Sequence, residues 1–254
     1  YVHQKDGVWR IISSGNSLMA QVVGAGKSLM LAAAAMKMKQ AGLIRKALIV
    51  CPNHLLEQFG REFLHIYPNA KLLMASKEDF TRDRRKLLTA KMASQAWDAI
   101  LVTHSSFERI GMSHDFQAQF LREQIAEYET LLVDYAETRP SRRGGRSVLK
   151  LIENQLARLE AKLKDLLAEG KKDDSLVFDE LGIDHLFIDE LQFFKNLTIS
   201  SKMERVAGIQ TGGSQRAFDL YMKTRYLDQQ HPDHGITGAT GTPVSNSMVE
   251  LYTL

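Results

Sequence analysis

Residues 17–42, "SLMAQVVGAGKSLMLAAAAMKMKQAG", decide the fold of this chain. The apolar run 17–22 predicts a β-strand, and an alanine- and methionine-rich helix follows, which Gly42 is placed to end. A glycine loop joins the two. Free N–H groups at a helix N-terminus attract an anion, and glycines let the backbone approach it closely. The stretch therefore predicts a phosphate-binding loop, with these candidate ligands: Gly24, Ala25, Gly26, Lys27 and Ser28.

The loop departs from the usual pattern G-x-x-x-x-G-K-[ST], because Gln21 stands where that pattern has a glycine. By chance, the shorter pattern G-x-G-K-S would occur in roughly one chain in a hundred of this length. The flanking strand and helix favour the functional interpretation. Lys27 would then reach the β- and γ-phosphates, and the Ser28 hydroxyl would bind Mg²⁺.

Composition narrows the class of protein. A net charge of +3 over 254 residues gives no general basic field, so any nucleic-acid binding would depend on local patches. A lone cysteine, Cys51, excludes an internal disulfide and indicates a reducing compartment such as the cytoplasm. Apolar runs are too short to span a membrane. The chain starts at Tyr1 without a methionine, so we expect a piece of a longer protein.

Further short apolar runs alternate with helical patterns along the chain. The predicted strands lie at 46–52, 70–75, 98–104, 184–190 and 235–241. Helices are predicted at 53–67, with Asn53 placed to cap the helix, and at 77–94. Strands that are apolar on both faces and separated by helices predict an α/β fold with a mostly parallel sheet, covered on both sides.

Residues 114–182 follow a different pattern. Their leucine stripe has the 3,4 spacing of a coiled coil and comprises Leu149, Ile152, Leu156, Leu159, Leu163 and Leu166. A second helical face precedes it, and a segment with Pro140 and two glycines joins the two. We interpret the region as an antiparallel helical hairpin inserted into an α/β domain formed by residues 1–113 and 183–254. Its tip is basic, with Arg139, Arg142, Arg143 and Arg146. The tip could contact DNA or an acidic partner, or be a soluble loop.

A second chemical signal is "HLFIDELQ" at residues 185–192. An apolar strand that ends in Asp189 and Glu190 is costly unless the carboxylates leave the core at the carboxyl edge of the sheet, where ligands bind in α/β folds. Asp189 could hold Mg²⁺, and Glu190 could orient and deprotonate a water molecule. Alone the pattern is weak, since a solvated strand end would look the same. A phosphate loop about 160 residues earlier makes it more specific.

Six motifs in order cover the chain from end to end, except for the hairpin region. They are "HQKDGVW" (3–9), "AQVVGAGKS" (20–28), "LIVCPNHLLEQFGREF" (48–63), "AILVTHSSF" (99–107), "FIDELQFFKN" (187–196) and "GATGTPVSNSMVELYTL" (238–254). The set resembles the first RecA-like domain of superfamily-two helicases and translocases. The Swi/Snf-type branch is the most similar, including the helicase portions of large phage and plasmid helicase–methylase proteins. Departures from the family pattern lie at Gln21, Val22, Ser28, Leu191 and Gln192.

The resemblance implies a role for each motif. Gln4 would hydrogen-bond adenine, and the alternative is that Gln4 is an ordinary surface residue. Asp189 and Glu190 belong to the D-E-A-H-type box. Together with Thr240, Gly241 and Thr242, Gln192 would link the γ-phosphate to the binding of the nucleic-acid strand. Residues 240–242 could also be a turn before a helix at 246–254. Contacts to the nucleic-acid backbone are implied for Pro52, Asn53, His54, Thr103, His104 and Ser105, and Arg142 and Arg143 are candidates at the hairpin tip. For His54 and His104, plain surface histidines are an equal alternative.

The activity implied is that of an ATP- and Mg²⁺-dependent motor acting on DNA, with double-stranded DNA translocation favoured over strand separation. In this family, arginines of a second RecA-like domain complete the site. That domain is absent from this chain, so we expect it to bind ATP but to hydrolyse it slowly. We expect a cytoplasmic protein of bacterial, phage or plasmid origin, with no membrane partner. Two alternatives stay open: a P-loop ATPase or switch that acts on a protein partner through the hairpin, and a non-catalytic DNA-binding module.

Overall fold

The computed structural model of the chain describes residues 1–138, 145–168, 175–197, 214–232 and 234–244. The predictions for Arg142, Arg143 and the helix at 246–254 lie outside these residues.

The described residues form one six-stranded sheet in which every neighbouring pair is parallel. The strands are β1 (Ser17–Ala20), β2 (Ala47–Cys51), β3 (Leu72–Ala75), β4 (Ala99–Thr103), β5 (His185–Asp189) and β6 (Ile236–Thr240). Their order across the sheet is β1-β6-β5-β2-β4-β3. Because all strands run the same way, all six carboxyl ends lie at one edge. The predicted parallel α/β fold is confirmed.

The described residues also form eight α-helices. They are α1 (Val2–Ser14), α2 (Lys27–Gln40), α3 (Leu56–Ile66), α4 (Arg82–Ser94), α5 (His104–Phe107), α6 (His114–Thr138), α7 (Gly145–Ala168) and α8 (Gln215–Gln230). No helix was predicted for α1, α5 or α8. The signal for α8 was a capping serine, since the Ser214 hydroxyl accepts a hydrogen bond from the Ala217 N–H.

Alternate residues of β2 show how the core is divided between the two faces. Leu48 and Val50 pack on one face with apolar residues of α4, α5 and α8. Ala47, Ile49 and Cys51 pack on the other face with α1, α2 and α3. Each face of the strand is fully buried, because successive side chains of a strand point to opposite sides. The predicted two-sided cover of the sheet is therefore present.

The start of the helix after β2 differs from the prediction. Residues Asn53–Leu55 form a short 3-10 turn, and α3 begins at Leu56. Asn53 does not cap α3: its side-chain oxygen instead accepts a hydrogen bond from the Ser105 hydroxyl at 3.1 Å. The prediction of an Asn53 cap is wrong because a residue on a neighbouring strand end, unseen in the local sequence, takes that oxygen.

The leucine stripe of α7 packs against α6. Buried residues from both helices form one apolar cluster, and the remaining stripe leucines lie partly buried around it: Leu121, Tyr128, Tyr135, Ile152, Leu159, Leu149, Leu156, Leu163 and Leu166. Lys162 of α7 also lies 4.2 Å above the ring of Phe218 in α8 and donates a hydrogen bond to Gln215. The stripe is thus used inside the molecule. In the described part of the chain, no helix combines the length and the apolar character needed to cross a membrane.

Candidate nucleotide-binding site

The glycine loop between β1 and α2 has the backbone that its sequence predicts. Gly24 and Gly26 have φ angles of 86° and 85°, in the left-handed region that side chains disfavour. A Cβ atom on Gly26 would also lie 2.3 Å from the side-chain nitrogen of Gln4. Both positions therefore require glycine, and the loop leads directly into the N-terminus of α2 at Lys27. A loop that has glycine at these two positions and ends at a helix N-terminus fits a phosphate group.

Lys27 is buried beneath this loop. Its Nζ donates to the carbonyl oxygens of Gln21 and Val22 at 3.3 and 3.4 Å. A Cβ on Gly241, the residue after β6, would lie 3.3 Å from the same Nζ. The lysine thus lies where the loop meets the end of β6. Its two hydrogen bonds are long, so its positive charge remains available to an anion.

Gln21, where the usual pattern has glycine, acts through its backbone. Its N–H donates to the carbonyl of Thr240 at 3.1 Å, which extends the β1–β6 pairing by one residue. Its carbonyl accepts from Lys27. Since neither contact uses the side chain, glutamine can replace glycine here without changing these interactions.

Ser28 and Asp189 meet across the sheet edge although they are far apart in sequence. The Ser28 hydroxyl lies 3.4 Å from Asp189 Oδ2, and Asp189 is buried. Burial raises the pKa of Asp189 to about 6; the negative charge of Glu190 adds to this, and Lys27 opposes it. A buried carboxylate next to a hydroxyl suits a hard cation such as Mg²⁺. The described residues contain no group of three or more His, Cys, Asp and Glu side chains that could hold a metal. Mg²⁺ fits this site, because it keeps several of its own water ligands.

A line of hydrogen bonds runs from Glu190 to the end of β6. The Gln192 amide nitrogen donates to the Glu190 carboxylate. Thr240 Oγ1 donates to the Gln192 amide oxygen at 2.6 Å and accepts from the Thr242 N–H at 3.1 Å. The acidic box and the motif at the end of β6, predicted separately, are therefore in direct contact. Glu190 itself has a left-handed backbone, with φ 56°.

Helix α1 places Gln4 against the phosphate loop. The Gln4 amide donates to the Ala25 carbonyl at 3.1 Å. His3 Nε2 lies at the same distance from the same oxygen. His3 was not among the predicted site residues, and only its position next to Gln4 could have suggested it.

The residues expected to bind nucleic acid divide into two groups. Asn53 and His54 are exposed and Ser105 is half-buried, and they lie together at the carboxyl edge of β2 and β4. Thr103 and His104 are each 3% exposed. Their side chains are therefore closed to a nucleic-acid backbone.

The roles expected of these two side chains, and the surface alternative for His104, are corrected by their hydrogen bonds. Thr103 caps α5 by accepting from the Ser106 N–H. His104 bonds to the carbonyl of Asp189. Pro52 is buried as well and leads into the 3-10 turn.

Fold and site together define an α/β protein with a glycine loop between β1 and α2 and an acidic pair at the end of a central strand. A family model described as "probable helicase domain" matches residues 9–254, so the chain belongs to this family. Membership confirms that the chain is a helicase-type domain, as the resemblance of its motifs implies. No curated protein matches the sequence.

Solved structures similar to the chain include three archaeal proteins. The Sulfolobus solfataricus SWI2/SNF2 ATPase core, solved in complex with dsDNA, is 15% identical with a TM-score of 0.47, over 99% of this chain and 34% of that one. The Pyrococcus furiosus Hef helicase domain is 14% identical with a TM-score of 0.47, over 99% and 34%. A hypothetical ATP-dependent RNA helicase from Sulfolobus tokodaii is 10% identical with a TM-score of 0.41, over 94% and 45%. The chain thus spans between a third and a half of their lengths.

Proposed function

We propose that this chain binds Mg²⁺-ATP and forms the motor half of a DNA-dependent ATPase, a helicase or, in keeping with the Swi/Snf-like motifs, a double-stranded DNA translocase. One observation carries the proposal. Ser28 and Asp189, 161 positions apart, lie 3.4 Å from each other, and the charge of Lys27 partly opposes the rise that burial causes in the pKa of Asp189. Three side chains from two motifs, the phosphate loop and the acidic pair, thus lie together where a nucleotide phosphate and its cation need them.

Each residue of the site then has a distinct task. Bound Mg²⁺-ATP supplies the phosphoanhydride bond to be hydrolysed and a cation that neutralises phosphate charge. The N–H groups after Gly24 and the Lys27 ammonium bind phosphate, while Ser28 and Asp189 hold the cation. Glu190 orients the attacking water and accepts its proton. Gln4, which contacts the loop at Ala25, recognises the adenine base.

Gln192 connects hydrolysis to the rest of the motor. It holds the Glu190 carboxylate with its nitrogen and the Thr240 hydroxyl with its oxygen. A displacement of the segment Thr240, Gly241 and Thr242 therefore changes the orientation of the catalytic carboxylate. The completing arginines would come from a second RecA-like domain, so we expect slow turnover by this chain alone.

DNA would bind at the exposed carboxyl edge next to this site. Asn53, His54 and Ser105 offer an amide, an imidazole and a hydroxyl there. Such groups bind the phosphate backbone without reading sequence. The hairpin gives less support to a protein-directed switch, since the α7 leucines pack against α6 and are thereby unavailable to a separate protein.

Nucleotide binding tests the proposal through Lys27. A fluorescent ATP analogue titrated with Mg²⁺ should bind the Lys27→Ala variant at least about tenfold more weakly, since a charge-assisted contact contributes about 1.5–3 kcal/mol. Lys37→Ala is the matched control, because Lys37 lies on the same helix α2 and is exposed. Equal affinity in all three proteins would refute nucleotide binding at this loop. In the full-length parent protein, double-stranded DNA should then accelerate hydrolysis, and Asn53→Ala with His54→Ala should weaken that acceleration.

A further inference from the structure

His104 is a buried side chain that the proposed roles leave unused. It follows β4 directly and is 3% exposed. Its Nε2 lies 2.8 Å from the carbonyl oxygen of Asp189 at the end of β5. Since a carbonyl oxygen only accepts, Nε2 carries the hydrogen. Burial lowers the pKa of His104, so the neutral ring is favoured. The imidazole thus reaches from the end of β4, across β2, to Asp189. Asp189 begins the acidic turn, residues 189–194.

The same ring also contacts the far side of that turn. Its centroid lies 4.8 Å from the ring of Phe193 and 5.4 Å from that of Phe194. These two residues directly follow Gln192. His104 therefore holds the segment 189–194 at both ends, the carbonyl before Glu190 and the rings after Gln192.

The acidic turn contains a strained backbone conformation that its surroundings must stabilise. Glu190 has a left-handed backbone, which costs a non-glycine residue about 1–2 kcal/mol and persists only where its surroundings impose it. The pairing of β2 with β5 ends at Val50 and Ile188, one residue before Asp189. His104 provides a hydrogen bond to the Asp189 carbonyl just past the end of that ladder.

The neighbour of His104 faces the exposed edge. The Ser105 hydroxyl donates to Asn53 and also lies 3.2 Å from the Thr103 hydroxyl. One short segment, 103–105, therefore contacts the acidic turn with one side chain and the proposed DNA surface with the next. A ligand bound at Asn53 and Ser105 would act on the backbone that carries His104.

We propose that His104 is a positioning residue that holds the Glu190 turn and makes its order depend on DNA bound at Asn53 and Ser105. This inference rests on the proposed function for its DNA and ATP steps. Two variants separate the hydrogen bond from the packing. His104→Gln places an amide N–H near the position of Nε2, whereas His104→Met has a similar length and no donor.

Amide hydrogen exchange tests the positioning whether or not the chain hydrolyses ATP. In His104→Met, exchange in a peptide covering 189–194 should be at least about fivefold faster, while peptides of β2 stay unchanged. His104→Gln should exchange like the natural protein. Double-stranded DNA should slow exchange in 189–194 of the natural protein and leave His104→Met unaffected. Equal exchange in the two variants overturns the positioning role, and an absence of any DNA effect on the natural protein overturns the coupling.

Hydrolysis provides the second readout. At saturating Mg²⁺-ATP, turnover should fall about tenfold or more in His104→Met, with analogue affinity within about twofold, and His104→Gln should recover most of the rate. Parallel loss of affinity and turnover would show a merely structural role and would overturn the proposal. If instead Lys27→Ala leaves nucleotide binding intact, the proposed function fails, and the exchange measurement without ATP still decides the role of His104.

Discussion

The two edges of the sheet bury similar ionisable side chains, but the hydrogen bonding of these side chains differs between the edges. At the amino edge, Lys46 is 9% exposed, and at the carboxyl edge, Lys27 is 8% exposed. Lys46 Nζ donates to three carbonyl oxygens at 2.7, 2.9 and 3.1 Å. Lys27 Nζ has two, at 3.3 and 3.4 Å. Equal burial therefore accompanies very unequal hydrogen bonding.

The aspartates of the two edges repeat the contrast. Asp184 accepts from the backbone N–H groups of Arg45 and Lys46 at 2.6 and 2.9 Å. Asp189 accepts from the Glu190 N–H at 3.1 Å and from the Ser28 hydroxyl at 3.4 Å. Short, complete hydrogen bonds offset the cost of burying a charge, whereas a buried charge with long and few bonds keeps its capacity for a ligand. Hydrogen bonding, not burial, therefore distinguishes the amino edge from the carboxyl edge that carries the candidate site.

Replacing the two lysines should give the largest difference in free energy of unfolding between the edges. Lys46→Met leaves three buried carbonyls without a donor, and at about 1–3 kcal/mol each the free energy of unfolding should fall by about 4 kcal/mol. Lys27→Met breaks two long bonds next to an open loop and should cost about 1 kcal/mol or less. Urea denaturation of both variants measures the two losses. Equal losses would remove the distinction between the edges.

His185 should give a pH dependence of intermediate size. It is fully buried, with Nδ1 donating to the His234 carbonyl and Nε2 accepting from Thr237. Burial lowers its pKa to about 4 from 6.5. Between pH 6.5 and pH 4, His185 is therefore protonated in the unfolded chain and neutral in the folded chain. Its contribution to stability is complete above about pH 6.5 and falls by about 3 kcal/mol as the pH drops to 4.

His185→Asn keeps a donor near the Nδ1 position and cannot titrate, so it isolates this effect. Its free energy of unfolding should fall less than that of the natural protein between pH 7 and pH 4.5, as measured by urea denaturation at each pH. Parallel pH profiles of the two proteins would show that His185 is not the titrating group.

Replacing each aspartate with asparagine should change the free energy of unfolding in opposite directions at the two edges. Since burial raises the pKa of Asp189 to about 6, its ionised form destabilises the fold at neutral pH, and Asp189→Asn should stabilise by about 2 kcal/mol at pH 7. This gain should vanish near pH 4, where Asp189 is protonated. Asp184→Asn turns an NH₂ group toward a backbone N–H and should destabilise by about 2 kcal/mol. Thermal melts without Mg²⁺ at both pH values measure the effects, and equal signs would contradict the comparison.

Much of the fold follows from local sequence. The apolar runs gave all six strands to within two residues at their ends, because strand and helix periods are local properties. Three helices were missed. One of them, α5, is four residues long and too short for any periodicity to show. Asn53 was misread because its cap role was judged only from its neighbours in sequence.

The candidate site was predicted in its parts. Lys27, Ser28, Asp189, Glu190 and Gln192 were chosen from motifs, and the structure brings them to one edge. For His104, the resemblance implied a contact to nucleic acid and the alternative was a surface histidine, but the side chain is buried. Its neighbours Phe193 and Phe194, which exclude solvent from it, come from a segment about 90 residues later.

The chemical groups, the strands, and the loop that must contain Gly24 and Gly26 follow from local sequence, since these depend on side-chain type, periodicity and backbone freedom over a few residues. The strand order, which places β5 between β6 and β2, is visible only in the folded molecule. That order sets which buried charges find short hydrogen bonds and which stay open, because each partner comes from a different strand end. Lys46 and Lys27 are the same residue type with the same burial, and their partners alone distinguish them.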